Sequence, residues 1–189
     1  VEMGLNIRGN LSYTNSTQEG GFFGENQVDG VPSEFARTLF LARNWDLNLP
    51  FEDASGNSLT PNGGAQFDNP RWSQKYNRIT SGEERYIANI KADMDVTRFA
   101  NLSFSIGSNV NQLQRREVTE IGSRAAQGLG SLNLDNYRQQ EIESTTLFTI
   151  KPQVVGDLTL DGFVGFNYNQ RTATRNFEQG NQFNIRGFH

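Results

Sequence analysis

The sequence predicts an all-β chain, an antiparallel wall of a transmembrane β-barrel with long extracellular loops. Three observations carry this expectation. Along residues 1–13 apolar side chains take every second position (Val1, Met3, Leu5, Ile7, Leu11, Tyr13), with Glu2, Gly4, Asn6, Arg8, Asn10 and Ser12 between them. A pleated strand points successive side chains to opposite faces, so one face is apolar and the other wet. The pattern recurs four more times. The connections alternate between long and short, the asymmetry of outer-membrane barrels, whose periplasmic turns are short and extracellular loops long.

Composition fits such a wall. Only 35% of the residues are hydrophobic, and the mean hydropathy is -0.62. A soluble domain of this composition would form a poor core. A barrel wall reaches the same values because its apolar residues meet lipid and its polar ones meet a watery lumen. No run approaches the roughly 20 apolar residues of a membrane helix. There is no cysteine, which excludes a disulfide framework and thiolate metal sites. The single histidine, His189, is the last residue, so nothing points to histidine-based catalysis. No cofactor is expected. The net charge of -4 weighs against nucleic acid as a partner. The chain begins inside a strand and shows no signal peptide, so an internal or mature piece of a longer protein is expected.

The first strand is expected over residues 1–15. A polar loop, 16–82, follows, with Gly20, Gly21, Gly24, Gly30, Gly63 and Gly64. Within it, Pro32, Ser33 and Glu34 open a short helix over 35–43, proline being at home in a first turn. Residues 47–59 form a small hairpin turning at Gly56. Asn69-Pro70-Arg71-Trp72 reads as a turn or extended segment. The second strand spans 84–97, with Tyr86, Ala88, Ile90, Ala92, Met94 and Val96 opposite Arg85, Asn89, Lys91, Asp93 and Asp95. A tight turn leads to the third, 101–115, with Leu102, Phe104, Ile106 and Val110 on one face. Another polar loop, 117–136, contains Gly122, Gly128 and Gly130. The fourth strand, 138–154, carries Ile142, Thr146, Phe148 and Ile150 on its apolar face and Glu141, Glu143 and Lys151 on the other; Leu147 falls on the wet face. Pro152 suits its end. A short turn at 155–157 leads to the fifth, 158–172, where Val164, Phe166 and Tyr168 oppose Asp161, Asn167, Asn169 and Arg171. A polar tail, 173–189, closes the chain.

This order sets an orientation. The turns near 98 and 156 are expected to be periplasmic, and 16–82, 117–136 and 173–189 extracellular. Leu5, Ile7, Ile90, Phe104, Ile106, Phe148 and Phe166 then face lipid; Asn6, Arg8, Asn89, Lys91 and Asp93 face the lumen. Bacterial single-chain barrels have an even strand count. Five strands whose first and last both point outward cannot close, so further strands are expected elsewhere in the protein.

The order of pieces resembles the SusC/RagA family of TonB-dependent outer-membrane transporters from Bacteroidota. Asn69-Pro70-Arg71-Trp72 is similar to the family's Asn-Pro-aromatic-Trp after a long loop, followed by a polar stretch with Arg78 and Arg85 and then a strand from Tyr86. Arg71 departs from the usual aromatic residue. The hairpin from Asp95 to Gly107 and the stretch from Asn6 to Tyr13 also have the family's look. The resemblance implies about five strands of a 22-stranded barrel and import of glycan or peptide fragments. It further implies a SusD-like surface lipoprotein as partner and coupling to TonB through a plug region outside this chain.

Each candidate has a plainer reading. Trp72 could stack on a sugar, but aromatic residues habitually mark membrane interfaces, so Asn69, Pro70 and Trp72 are assigned to the base of the loop. Phe35, Leu39 and Phe40 are candidate partner contacts, or else pack on their own loop. The segment starting at Asp53 lacks the carboxylates a Ca²⁺ loop needs and reads as a turn; no metal site is expected. Inward charges line a substrate route or simply pair across strands. The leading function is transport. The alternative is a SusC-derived barrel acting as scaffold or subunit of a larger outer-membrane complex. An enzyme is not expected, since no nucleophile and base cluster.

Overall fold

The computed structural model describes residues 4–20, 34–60, 67–151, 153–155 and 158–189. The sequence readings at Val1, Glu2, Met3, Gly21, Gly24, Gly30, Pro32, Ser33, Gly63, Gly64, Pro152 and the 156–157 turn lie outside them. The protein is all-β with few helices. Five antiparallel strands form one sheet in the order β1-β2-β3-β4-β7: β1 (Leu5–Gly20), β2 (Arg78–Thr97), β3 (Ala100–Ile121), β4 (Leu129–Ile150) and β7 (Gly162–Asn181). The sheet is not closed, and β1 and β7 are its edges. A small antiparallel pair, β5 (Gln153–Val155) and β6 (Leu158–Thr159), sits between β4 and β7 in the chain. Two short helices, α1 (Glu34–Phe40) and α2 (Pro70–Tyr76), and a 3-10 turn at Ala125–Gly128 complete the described elements.

The strands are longer than their alternation suggested. β1 runs to Gly20, β2 starts at Arg78, β3 continues to Ile121, β4 starts at Leu129 and β7 reaches Asn181. The expected 117–136 loop shrinks to residues 122–128, and the expected 173–189 tail to residues 182–189. The physical reason is that strand pairing is a backbone interaction. Where both faces are polar, as over Gln114-Arg115-Arg116-Glu117, the two-residue hydrophobic period vanishes but the hydrogen-bonded ladder need not. The fifth strand also differs at its start, where β6 is separate from β7.

Chain contacts divide the molecule into two units. Unit one comprises residues 4–15, 83–112 and 137–174 of the described chain and is strand throughout apart from its turns. Its two faces are chemically distinct. A side chain placed at Gly9 would meet Ile90 at 3.9 Å, and Tyr13 and Tyr86 rings lie 4.8 Å apart, so odd positions of β1 share a face with even positions of β2. A side chain at Gly4 would meet Asp95 at 3.3 Å on the opposite face. Leu5, Ile7, Ile90, Phe104, Ile106, Phe148 and Phe166 all remain exposed on the apolar face.

Unit two comprises residues 16–20, 34–60, 67–82, 113–136 and 175–189 of the described chain. It holds the fully buried side chains, Trp72, Val118, Asn77, Asp68, Ser73 and Ser123, most of them polar. The expected helix appears as α1. The hairpin appears as a Glu52↔Ser58 bridge with Gly56 at φ 79°. Asn69-Pro70-Arg71-Trp72 is neither turn nor extended segment: it is the start of α2. The Asn69 side chain accepts from the Arg71 N–H (3.0 Å), and Pro70 takes the first turn, where a missing N–H costs nothing. Asn77 ends the helix, its N–H donating to the Ser73 carbonyl at 2.8 Å.

Candidate functional site

Two constellations carry chemistry, one in each unit. In unit one the polar face is cross-linked from strand to strand. Asp93 receives Arg8 (3.9 Å) and Lys91 (3.3 Å), and the Arg8 Nε donates to Asn6 (3.1 Å). Arg85 donates to Asn109 at 3.2 Å. Glu141 takes Arg171 at 3.2 Å and Asn169 at 3.0 Å; Asn167 donates to Glu143 and Thr145 at 3.2 and 2.8 Å. Exposed ion pairs of this kind contribute about 0–1 kcal/mol each. Their consequence is local: they neutralise charge on a face dense in amides and carboxylates.

Gly107 opens a depression of about 260 Å³ on this sheet, lined by Asn89, Asn109, Glu141, Glu143 and Ile87 among others. A side chain at Gly107 would meet the Asn89 amide at 3.4 Å. The volume lies below the roughly 300–1,000 Å³ of drug-sized pockets. Asn6, Arg8, Asn89, Lys91 and Asp93 thus belong to one polar surface, while Leu5, Ile7, Ile90, Phe104, Ile106, Phe148 and Phe166 lie on the other side of the sheet.

In unit two the long loop is folded on hydrogen bonds. Asn69 uses all its polar groups: besides capping α2, its N–H donates to Ser58 Oγ (2.9 Å) and its amide to the Leu59 carbonyl (2.9 Å). Trp72 is fully buried, its indole N–H donating to the Gly56 carbonyl at 2.9 Å and its ring tilted on Tyr76. Arg71 is the position at which the chain departs from the pattern it resembles. Its guanidinium lies over the Phe51 ring at 4.8 Å and donates to the Leu47 carbonyl. Asp53 closes the 53–57 turn by accepting from the N–H groups of Ser55 and Asn57.

Asp68 is the centre of this fold. It is fully buried and accepts from Ser123 Oγ, the Arg124 N–H (2.8 Å) and the Asn77 amide (3.3 Å). Burial pushes its pKa up; the hydrogen bonds from Ser123, Arg124, Ser58 and Asn77 oppose that without cancelling it. Asn77 in turn accepts from the Glu120 N–H at 3.0 Å. By contrast, Phe35, Leu39 and Phe40 of α1 are 55, 69 and 69% exposed, while Ala36 and Arg37 are buried. The helix therefore buries one stripe and leaves three large apolar side chains open. Among the described residues no group of three metal-ligating side chains converges.

Reading the sequence missed Asp68, Asn77, Glu120, Ser123 and Arg186. Their partners lie up to 130 positions away, and no local pattern marks such a pairing. The helix start at Asn69 was findable, since Asn followed by Pro is a cap followed by a first-turn residue. No protein-family model and no curated protein matches this chain.

Proposed function

We propose that the chain is a stretch of the wall of a SusC-like, TonB-dependent outer-membrane transporter that imports glycan or peptide fragments beneath a SusD-like lipoprotein. The observation carrying this is the two-faced sheet of unit one. Leu5, Ile7, Ile90, Phe104, Ile106, Phe148 and Phe166 on its apolar face are exposed, and the alternating runs that carry them, such as 5–13, 86–96 and 102–110, match the about 9–11 tilted residues needed to cross a bilayer. Its other face is mostly polar and cross-linked, with Ile87 and Leu147 among its few apolar side chains. A soluble sandwich would bury the first face under a second sheet. The open edges support the same reading. β1 and β7 are 16 and 20 residues long, and edges of that length invite pairing with further strands.

On this reading, the apolar belt meets lipid and the polar face meets the lumen. The residues of unit two form the extracellular loops, and Phe35, Leu39 and Phe40 contact the lipoprotein lid. The test uses the full-length gene and its neighbours in the native host. Deletion is expected to abolish growth on the cargo while other outer-membrane assemblies persist, and the tagged barrel is expected to co-purify with a lipoprotein. Normal uptake, with loss of another outer-membrane complex, would overturn transport in favour of a scaffold barrel.

A further inference from the structure

We propose that Arg186 is a clasp that couples residues 182–189 to the hairpin and α2 of the long loop, so that loosening the one loosens the other. Residues 182–189 form no strand or helix, yet they are bound along their length. The N–H groups of Gln182 and Phe183 donate to the Gly130 and Leu129 carbonyls at 3.1 and 2.8 Å. The Gly187 N–H donates to the buried Glu120 carboxylate at 3.0 Å. Between them Arg186 reaches across to the loop's hairpin, donating to the Gly56 carbonyl at 2.8 Å and to Asn57 Oδ1 at 3.2 Å.

The slot that takes the guanidinium exists because two glycines border it. A side chain at Gly56 would lie 2.0 Å from Arg186 Nη1, and one at Gly122 would lie 2.8 Å from Nη2. Both glycines adopt positive φ, 79° and 91°, a conformation that L residues resist. The Gly56 carbonyl is shared: the Trp72 indole N–H occupies it as well. One oxygen thus joins the hairpin, α2 and the 182–189 segment, and Gly122 brings in the β3–β4 tip. The loop is therefore no independent lid. Asp68 and Asn77 tie it separately to Ser123 and Glu120, so displacement of 182–189 loosens the loop at its hairpin and α2 rather than freeing it outright. This holds whatever the barrel carries, so it stands or falls separately from the transport reading.

Hydrogen–deuterium exchange on the full-length protein in outer-membrane vesicles tests the clasp. In Arg186→Ala, exchange over 52–58, 70–77 and 182–189 is expected to rise together, about ten-fold, as for loss of hydrogen bonds from a charged donor. Residues 86–96 should keep their rates. A rise confined to 182–189 overturns the proposal. If the alanine variant does not reach the membrane, Arg186→Lys serves. An ammonium cannot reproduce the two-pronged contact, so the same segments should rise together by a smaller factor; independent rises overturn the proposal.

Discussion

Asp68 sits fully buried among Ser58, Asn77, Ser123 and the Arg124 backbone. Because burial raises its folded pKa above the ordinary 3.8, the folded loop binds a proton that the opened loop releases. Its contribution to loop stability is therefore most favourable below that ordinary value and falls as pH rises through the folded pKa. Glu52 works in the opposite sense: the Tyr76 hydroxyl and Lys75 lower its pKa, so its contribution is lost as pH falls. Asp68→Asn should remove the first component and leave the second. Hydrogen exchange of 67–77 across mildly acid to neutral pH reads this; an unchanged slope would show that Asp68 does not set it.

At the scale of elements, α2 depends on its cap. Asn69→Ala removes the acceptor for the Arg71 N–H and the donor to Leu59, and a lost cap costs about 0.5–2 kcal/mol. Faster exchange over 70–77 is expected, with Asn69→Asp nearer to wild type because a carboxylate still caps. The strands depend on their faces. If the proposed barrel wall holds, arginine at Leu5, Ile90 or Phe166 should destabilise by about 2–4 kcal/mol near a bilayer midplane. The same change at Asn6, Asn89 or Asn167 should be mild. Equal losses on both faces, measured by folding into lipid vesicles, would count against a lipid-facing belt.

At the largest scale, the described residues form an open five-stranded sheet, a small two-stranded pair and a hydrogen-bonded loop region. If the proposed outer-membrane orientation holds, protease added to intact cells is expected to cut within 16–82, at the 122–128 tip or within 182–189, and to spare the turns near 98 and 156. Cleavage at 98 in intact cells would reverse the assigned orientation.

Much of the fold was legible in the residues. Period-two alternation marks each strand where one face is apolar, because a one-residue slip would move every apolar side chain to the wrong face. It fails where both faces are wet, which is why β3 and β4 run past their expected ends at residues 115 and 138. The polar face was legible residue by residue, but its rungs were not: Arg171 with Glu141 and Arg8 with Asp93 require the strand register.

By itself, then, the sequence determined the all-β class, the sides of the strands and the place of the short turn near 98, all consequences of local side-chain period. Tertiary structure alone decided how the loop folds. Asp68 meeting Ser123, and Arg186 filling a slot beside Gly56 and Gly122, join segments 55 and 130 positions apart. Such contacts arise from satisfying buried polar groups in three dimensions, a requirement that leaves no periodic trace along the chain.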